Sequence, residues 1–409
     1  MTKTQIRPNS KPLILIPNLP NDISTIILSF IPFSHHSRIK LTCKSWKSFF
    51  SSKTLISLRR TNPIQFQSHL LCIFPEDPSI SPSYLFDPSN LAWRLIPPMP
   101  LNPHAYGLSN FMAISLNHYV YVIGGSVFDT RSYPMETPSS SRAIFRYDLM
   151  RNTWETLAPM MSARGSFACA AVSESGEIVV AGGGSKHTFF GGAGSRMNSV
   201  EKYDVKKDQW VSLDGLPRLR AGCVGFLVKK KGELEFWVMG GYGESRTVSG
   251  VFSMDEYYRD GVVLELKNGG KWREIDNMWE EGERRSLGKV VVLDGEESEA
   301  PGIFMLDEAD IFRYDMSTNR WQKESTVPRK GLTDNKYGFA ALDGELHVLS
   351  CRKTADIMEN LKPRVQEKVG ALYIQVYNPK KRRWRSLRTK PPVKCSLNFE
   401  SAVMCTIRV

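Results

Sequence analysis

Cysteine and histidine are the side chains from which this chain could build a metal centre or a nucleophile, and it holds seven of each. Cys43, Cys72, Cys169, Cys223, Cys351, Cys395 and Cys405 include no C-x-x-C pair, and the histidines show no ligand spacing. A structural zinc site needs four converging ligands, so no metal is predicted. An odd cysteine count, mostly within apolar strand-like runs, fits buried free thiols in a reducing compartment. No nucleophile–base constellation is visible. The pairs Gly124-Gly125, Gly182-Gly183 and Gly240-Gly241 end apolar strands with no helix after them, so they are not phosphate loops and no cofactor is predicted.

What remains is recognition chemistry. Arginine and tyrosine are favoured interface anchors. They stand in the long connections 126–142, 185–198 and 242–260 as Arg131, Tyr133, Arg196, Tyr242 and Arg246. A fourth such connection is 351–369. Arg164, Arg220, Arg284 and Arg329 stand between successive repeat units. Together these form a candidate target-binding face. Two blander readings stand beside it: exposed loops are ordinarily polar and solvated, and an arginine at a fixed place in a repeat also suits a structural role.

The formal net charge of +12 raises the question of a polyanionic partner. Residues 1–60 carry ten Lys/Arg and one acid, Asp22, whereas 380–394 carry eight Lys/Arg and no acid. Residues 61–379 hold 35 bases against 40 acids, so the body of the chain is mildly acidic. Charge held in two segments argues against nucleic acid and for an acidic protein partner. No run approaches the roughly 20 apolar residues of a membrane span. Leu13 to Ile16 is too short for the core of a secretion signal. A nuclear or cytoplasmic protein is expected.

These residues need elements to hold them. Residues 1–13 read as a flexible lead. Asn21 or Asp22 is placed to cap a helix whose apolar positions, Ile23, Ile26, Ile27, Phe30 and Ile31, fall on one face until Pro32. Ser34 or Ser37 is placed to cap a second, with Ile39, Cys43, Trp46 and Phe50 on its apolar face. Two or three short helices cannot cover such faces alone, so they dock on the rest of the chain or on a partner. The blocks Leu19-Pro20-Asn21-Asp22-Ile23, Ile27-Leu28-Ser29-Phe30-Ile31-Pro32 and Cys43-Lys44-Ser45-Trp46 resemble an F-box over residues 14–58, with Thr42 where the family usually has Val. The resemblance implies docking to the acidic Skp-type adaptor of cullin–RING ubiquitin ligases. It assigns the interface and its supporting core to Leu19, Pro20, Ile23, Ile27, Leu28, Ile31, Pro32, Ile39, Cys43 and Trp46.

The remaining chain repeats. Trp93, Trp154, Trp210, Trp272, Trp321 and Trp384 recur at intervals of between 49 and 63 residues. Before them stand Phe86-Asp87, Tyr147-Asp148, Tyr203-Asp204, the degenerate Glu265-Leu266, Tyr314-Asp315 and Tyr377-Asn378. Apolar strands upstream end in the three glycine pairs, where glycine allows positive φ and close backbone approach. Four short strands per unit, six times over, is propeller arithmetic. The pattern resembles the kelch repeat. It predicts an all-β six-bladed kelch-type β-propeller over 59–409 after a small all-α F-box module. Ser401 to Ile407 is expected to supply the inner strand of the first blade. Gly124, Gly125, Gly182, Gly183, Gly240 and Gly241, with Tyr147, Trp154, Tyr203, Trp210, Tyr314, Trp321, Tyr377 and Trp384, are read as structural.

The leading expectation is a non-catalytic substrate receptor of a Skp–cullin–F-box ubiquitin ligase, with an unknown protein target on the propeller. The alternatives are a kelch interaction scaffold outside a ligase and a kelch-type enzyme such as a copper-radical oxidase. The run Lys380-Lys381-Arg382-Arg383-Trp384-Arg385 resembles a nuclear-import tag or an anion-binding edge, and a solvated turn is an equal reading.

Overall fold

A computed structural model describes residues 14–61, 69–77, 81–101, 107–129, 131, 138–184, 195–230, 232–248, 252–267, 270–279, 286–293, 301–328, 336–351, 372–390 and 397–409. The expected lead falls outside them.

The N-terminal module holds α1 (Asn21–Ser29), a short 3-10 turn (Phe33–His35), α2 (His36–Ile39), α3 (Lys44–Phe49) and α4 (Lys53–Thr61). Neither Asn21 nor Asp22 caps α1: Pro20 holds the cap position, and Asn21 Oδ1 accepts from Leu15 N–H at 3.2 Å. The expected second helix is broken into three pieces, because a new start at Cys43 restarts the chain. Cys43 is extended and its Sγ accepts from Trp46 N–H at 3.5 Å. The sequence reading did not identify α4. Its Arg59 is buried and donates to the carbonyls of Ser29 (3.0 Å) and Ile31 (2.7 Å). A cation at the end of α1 satisfies orphan carbonyls and complements the helix dipole.

Six four-stranded antiparallel sheets follow among the described residues. Sheet I orders Val403–Arg408, His69–Phe74, Tyr84–Asp87 and Ala92–Leu95, so the last strand of the chain lies against the first, with Cys405 opposite Cys72. Sheet II comprises Met112–Leu116, Tyr119–Ile123, Ile144–Asp148 and Thr153–Thr156; sheet III comprises Ala168–Val172, Glu177–Ala181, Val200–Asp204 and Gln209–Leu213. Sheet IV holds Val224–Lys230, Glu233–Met239, Gly261–Glu265 and Trp272–Ile275; sheet V holds Lys289–Leu293, Gly302–Asp307, Asp310–Asp315 and Arg320–Thr326. Sheet VI is Gly338–Leu342, Glu345–Cys351, Leu372–Asn378 and Arg383–Thr389.

The core is divided between neighbours. One apolar cluster joins each consecutive pair of sheets, and another joins VI to I through Ala340, Leu349 and Val376 against Leu71, Tyr84 and Phe86. The cluster between sheets I and II also takes in Leu15, Leu28, Phe33, Phe49, Phe50 and Leu55 of the helical module. The first strand of each sheet lines one cavity of about 510 Å³. A Cβ at Gly225 would lie 2.6 Å from Cys169 N and 2.7 Å from the Ala168 Cβ, so the first strands of sheets III and IV approach too closely there for a side chain.

Two connections read as loops carry strands of their own. Ser126–Phe128 and Ser139–Ser140 join Gly107–Ser109 in a three-stranded sheet, and Tyr242–Val248 pairs with Phe252–Tyr257 in a hairpin.

Candidate partner-binding surfaces

The helical module has two faces of unequal fate. On one, Trp46 donates its indole N–H to Leu15 O at 2.6 Å, and His36 lies between Phe33 and Phe50 with ring centroids 5.1 and 4.6 Å away. His36 bonds Ile31 O at 3.0 Å, and burial with Arg59 nearby lowers its pKa to about 3. This face is braced on the sheets: Lys40 Nζ donates to Met150 O at 2.6 Å, and the Arg94 guanidinium sits 5.4 Å over Phe33. The same arginine donates to Leu149 O and Asn152 Oδ1, so one turn of sheet II holds both cations.

The other face is uncovered. Leu19, Ile23, Ile26, Ile27 and Phe30 are each between 40% and 45% exposed, and Leu41 is 86% exposed. Helical period puts positions 23, 26, 27 and 30 on one stripe. Covering what remains open on each is worth about 1 kcal/mol in apolar burial. Of the residues assigned to the interface, Leu19, Pro20, Ile23, Ile27 and Cys43 lie on the surface. Leu28 is buried, and Ile31, Ile39 and Trp46 pack against the interior, with Pro32 half-buried. Ile26 and Phe30 complete the stripe, and Leu41 is a further exposed apolar residue after α2. The first two were legible in the helical period; Leu41, a single apolar residue among polar ones, gave no signal.

Two members of the candidate target-binding face, both between repeat units, are interior. Arg164 and Arg220 are fully buried. Arg164 donates to Gly182 O (2.8 Å), Ser199 O (2.9 Å), Ser199 Oγ (2.9 Å) and the Glu201 carboxylate. Arg220 donates to Gly240 O (3.0 Å) and Asp260 Oδ1 (2.8 Å). In each case the guanidinium caps the glycine pair of the following sheet, while the arginine's own carbonyl accepts from the second glycine of the preceding one. The glycines must be glycines here: at φ +59° and +67°, a Cβ on Gly124 or Gly182 would stand 2.6 Å from those carbonyls. These two arginines are therefore struts between sheets and not target contacts, because their guanidinium groups are buried on glycine carbonyls and carboxylates of the next sheet. Arg131 is exposed beside Asp129 at 2.7 Å, Arg196 is half-buried, and Tyr242 is 39% exposed with its ring 5.0 Å from Tyr257. Arg246 lies on the Tyr242–Val248 strand, opposite Met254. Tyr133, Arg284 and Arg329 lie outside the described residues.

The aromatic–acid–tryptophan unit is a turn device. Tyr147–Trp154, Tyr203–Trp210, Tyr314–Trp321 and Tyr377–Trp384 have ring centroids 5.0–5.2 Å apart. The acid caps the turn: Asp148 and Asp204 Oδ1 each accept two backbone N–H groups within 3.2 Å. Two residues before tryptophan the chain has positive φ, at Asn152, Asp208 and Asn319, whose side chains accept the tyrosine hydroxyl. That Asn/Asp stood in the sequence unread. Leu91 and Arg382 occupy the same position in sheets I and VI.

Each indole N–H then reaches the preceding sheet. Trp154 donates to Pro97 O, Trp210 to Ala158 O, Trp272 to Asp214 O and Trp384 to Ser325 Oγ, at 2.7–3.0 Å. Trp93 of sheet I donates to Thr389 Oγ1 of sheet VI at 2.9 Å. Trp321 is the exception, stacking on Trp279 instead.

Among the described residues no cluster of three or more metal-ligating side chains occurs, and no helix is long and apolar enough to cross a membrane.

Comparison with known proteins agrees with this geometry. The F-box domain profile matches residues 16–58, and the kelch motif profile matches 108–161 and 166–217. The F-box/kelch-repeat protein OR23 of Arabidopsis thaliana is 56% identical over 413 residues, covering 97% of this chain and 92% of that protein. F-box/kelch-repeat protein At2g44130 of the same plant is 26% identical, with 75% of each chain covered. F-box protein AFR, also from Arabidopsis, is 25% identical over 53% of this chain and 54% of its own. An exposed apolar helical face on a module braced against kelch sheets, and a relative alike from end to end, place the chain in the F-box/kelch-repeat family.

Proposed function

We propose that this protein is the substrate-receptor subunit of a Skp–cullin–F-box ubiquitin ligase and is itself non-catalytic. The observation that carries the reading is the apolar stripe of α1. It is exposed on the side of the F-box module that faces away from the sheets, while the opposite side is built into their core. The Skp-type adaptor covers the stripe, and the basic side chains Arg38, Lys44, Lys47 and Lys53, all exposed, speed encounter with that acidic protein. The docking domain runs from 14 to the end of α4 at Thr61, three residues beyond the expected 58, and the sheets from His69 to Arg408 form a closed six-bladed propeller. The shared cores around all six sheets, the common cavity and the Trp93–Thr389 bond support ring closure. The ring presents a protein target to the charged ubiquitin carrier, so rate comes from raised local concentration and positioning. The protein works in the nucleus or cytoplasm.

Proximity labelling under proteasome blockade tests this. A target should be labelled both by wild type and by an Ile23→Asp/Ile27→Asp variant. Its ubiquitin conjugates should appear only with wild type. Equal conjugate levels with both would contradict the receptor role.

A further inference from the structure

The geometry points to a second docking surface: we propose that the outer strand of sheet VI, Arg383–Thr389, takes up an acidic peptide in extended conformation as an added β-strand. Among the described residues it is the last strand of its sheet and pairs on one side only, with Leu372–Asn378. An edge strand presents a row of main-chain donors and acceptors that a second chain can continue. At seven residues it is long; the outer strands of sheets I, II and IV have four and that of sheet III has five.

Charge sets it apart further. Residues 380–390 hold seven Lys/Arg and no acid. Lys381, Arg382, Arg383, Arg385, Arg388 and Lys390 are all exposed, while Trp384 and Leu387 turn toward the core. Only the outer strand of sheet V matches it in length, and that strand mixes Arg320 and Lys323 with Glu324. Arg385 meets Glu345 at 2.6 Å and Arg388 lies over the Tyr373 ring, while Lys381, Arg382, Arg383 and Lys390 add four further exposed cations.

A third observation is independent of both. Arg382 has φ +49°, at the place where three other sheets use Asn or Asp. A left-handed conformation suits Asn and Asp and strains a long side chain. The tyrosine hydroxyl that this position would accept goes instead to Glu324 of sheet V, at 2.8 Å. The turn gives up both its favoured residue and a hydrogen bond, and gains a surface cation. Sheet I departs from Asn or Asp at this position too, with Leu91, but only in sheet VI does the departure add a charge to the edge.

A peptide suits the site better than nucleic acid. The row is one strand wide and the rest of the ring is net acidic, with 35 bases against 40 acids over 61–379. A duplex or a long single strand would spread over that repelling surface, whereas a strand-like peptide touches only the edge. An import tag is also a poor fit, since 380–385 sits in a closed hairpin with Asn378 opposite Arg383.

The test is fluorescence anisotropy with the full chain and a labelled Glu-Val repeat peptide. Binding should weaken as salt rises and should fall at least tenfold in Lys381→Glu/Arg383→Glu. A Glu-Pro repeat of equal charge lacks half the N–H donors and should bind more weakly. Arg382→Asn keeps the falsifying power should the double variant misfold. It should raise Tm while weakening the peptide. A raised Tm with unchanged binding, equal affinity for the two peptides, or tighter binding of an oligonucleotide of equal charge would each overturn the proposal.

Discussion

At the scale of single residues, the buried charges matter more than the exposed ones. Arg164 has four acceptors and no exposure. Replacing it with Met would leave Glu201, itself 2% exposed, with the backbone N–H groups of Met161 and Ser162 and no counter-charge. Breaking a buried pair from one side costs about 3–5 kcal/mol. Chemical denaturation of Arg164→Met should show a loss of that size, whereas Arg131→Ala, at an exposed pair, should change stability by less than about 0.5 kcal/mol. His36 adds a pH dependence. Its pKa is about 3 when folded against 6.5 ordinarily, because burial disfavours its cation. The unfolded chain therefore binds the extra proton first. Stability should fall as pH drops from 6.5 toward 3 and be unaffected by this group above 6.5. Thermal melts of His36→Phe, compared with wild type, should show a shallower decline through that window.

At the scale of elements, the turn joining the outer two strands of each sheet explains what the sequence revealed and what it hid. Tyrosine, aspartate and tryptophan were legible because they are large or rare and keep strict spacing. The intervening Asn152, Asp208 and Asn319 were not, since their role lies in a positive φ that residue type only hints at. Leu91 has the same conformation with φ +47° and no compensating side-chain acceptor. Leu91→Asn should stabilise the protein by about 1 kcal/mol, measured as a rise in Tm, because αL is disfavoured by about that amount for ordinary L-residues. The buried arginines show the complementary failure. An arginine between repeats looks the same in sequence whether it points to solvent or caps the next sheet, and only the glycine carbonyls it meets decide. In the helical module the apolar period identified α1, but the extended Cys43 split the second helix, and α4 escaped because its apolar positions are few. Its decisive residue is the polar Arg59.

At the scale of the whole molecule, the first and last of the described strands meet. The strand Val403–Arg408 joins the first sheet, so residues at opposite ends of the sequence share one hydrophobic cluster. Deleting 399–409 should expose His69–Phe74 as an apolar edge and abolish a cooperative melt. The net charge of +12 also divides differently in space than in sequence. Arg59 is interior and Lys40 is tied to Met150 O, so the docking end shows less charge than its composition suggests. Arg38, Lys44, Lys47 and Lys53 remain exposed on the same module as the apolar stripe of α1. Calorimetric titration of a purified Skp-type adaptor onto the full chain probes that stripe. Wild type should bind one adaptor per chain. Ile23→Asp/Ile27→Asp, which changes only exposed positions, should keep its Tm and lose binding by at least a hundredfold. Undiminished affinity in that variant, with an unchanged melt, would contradict the assignment.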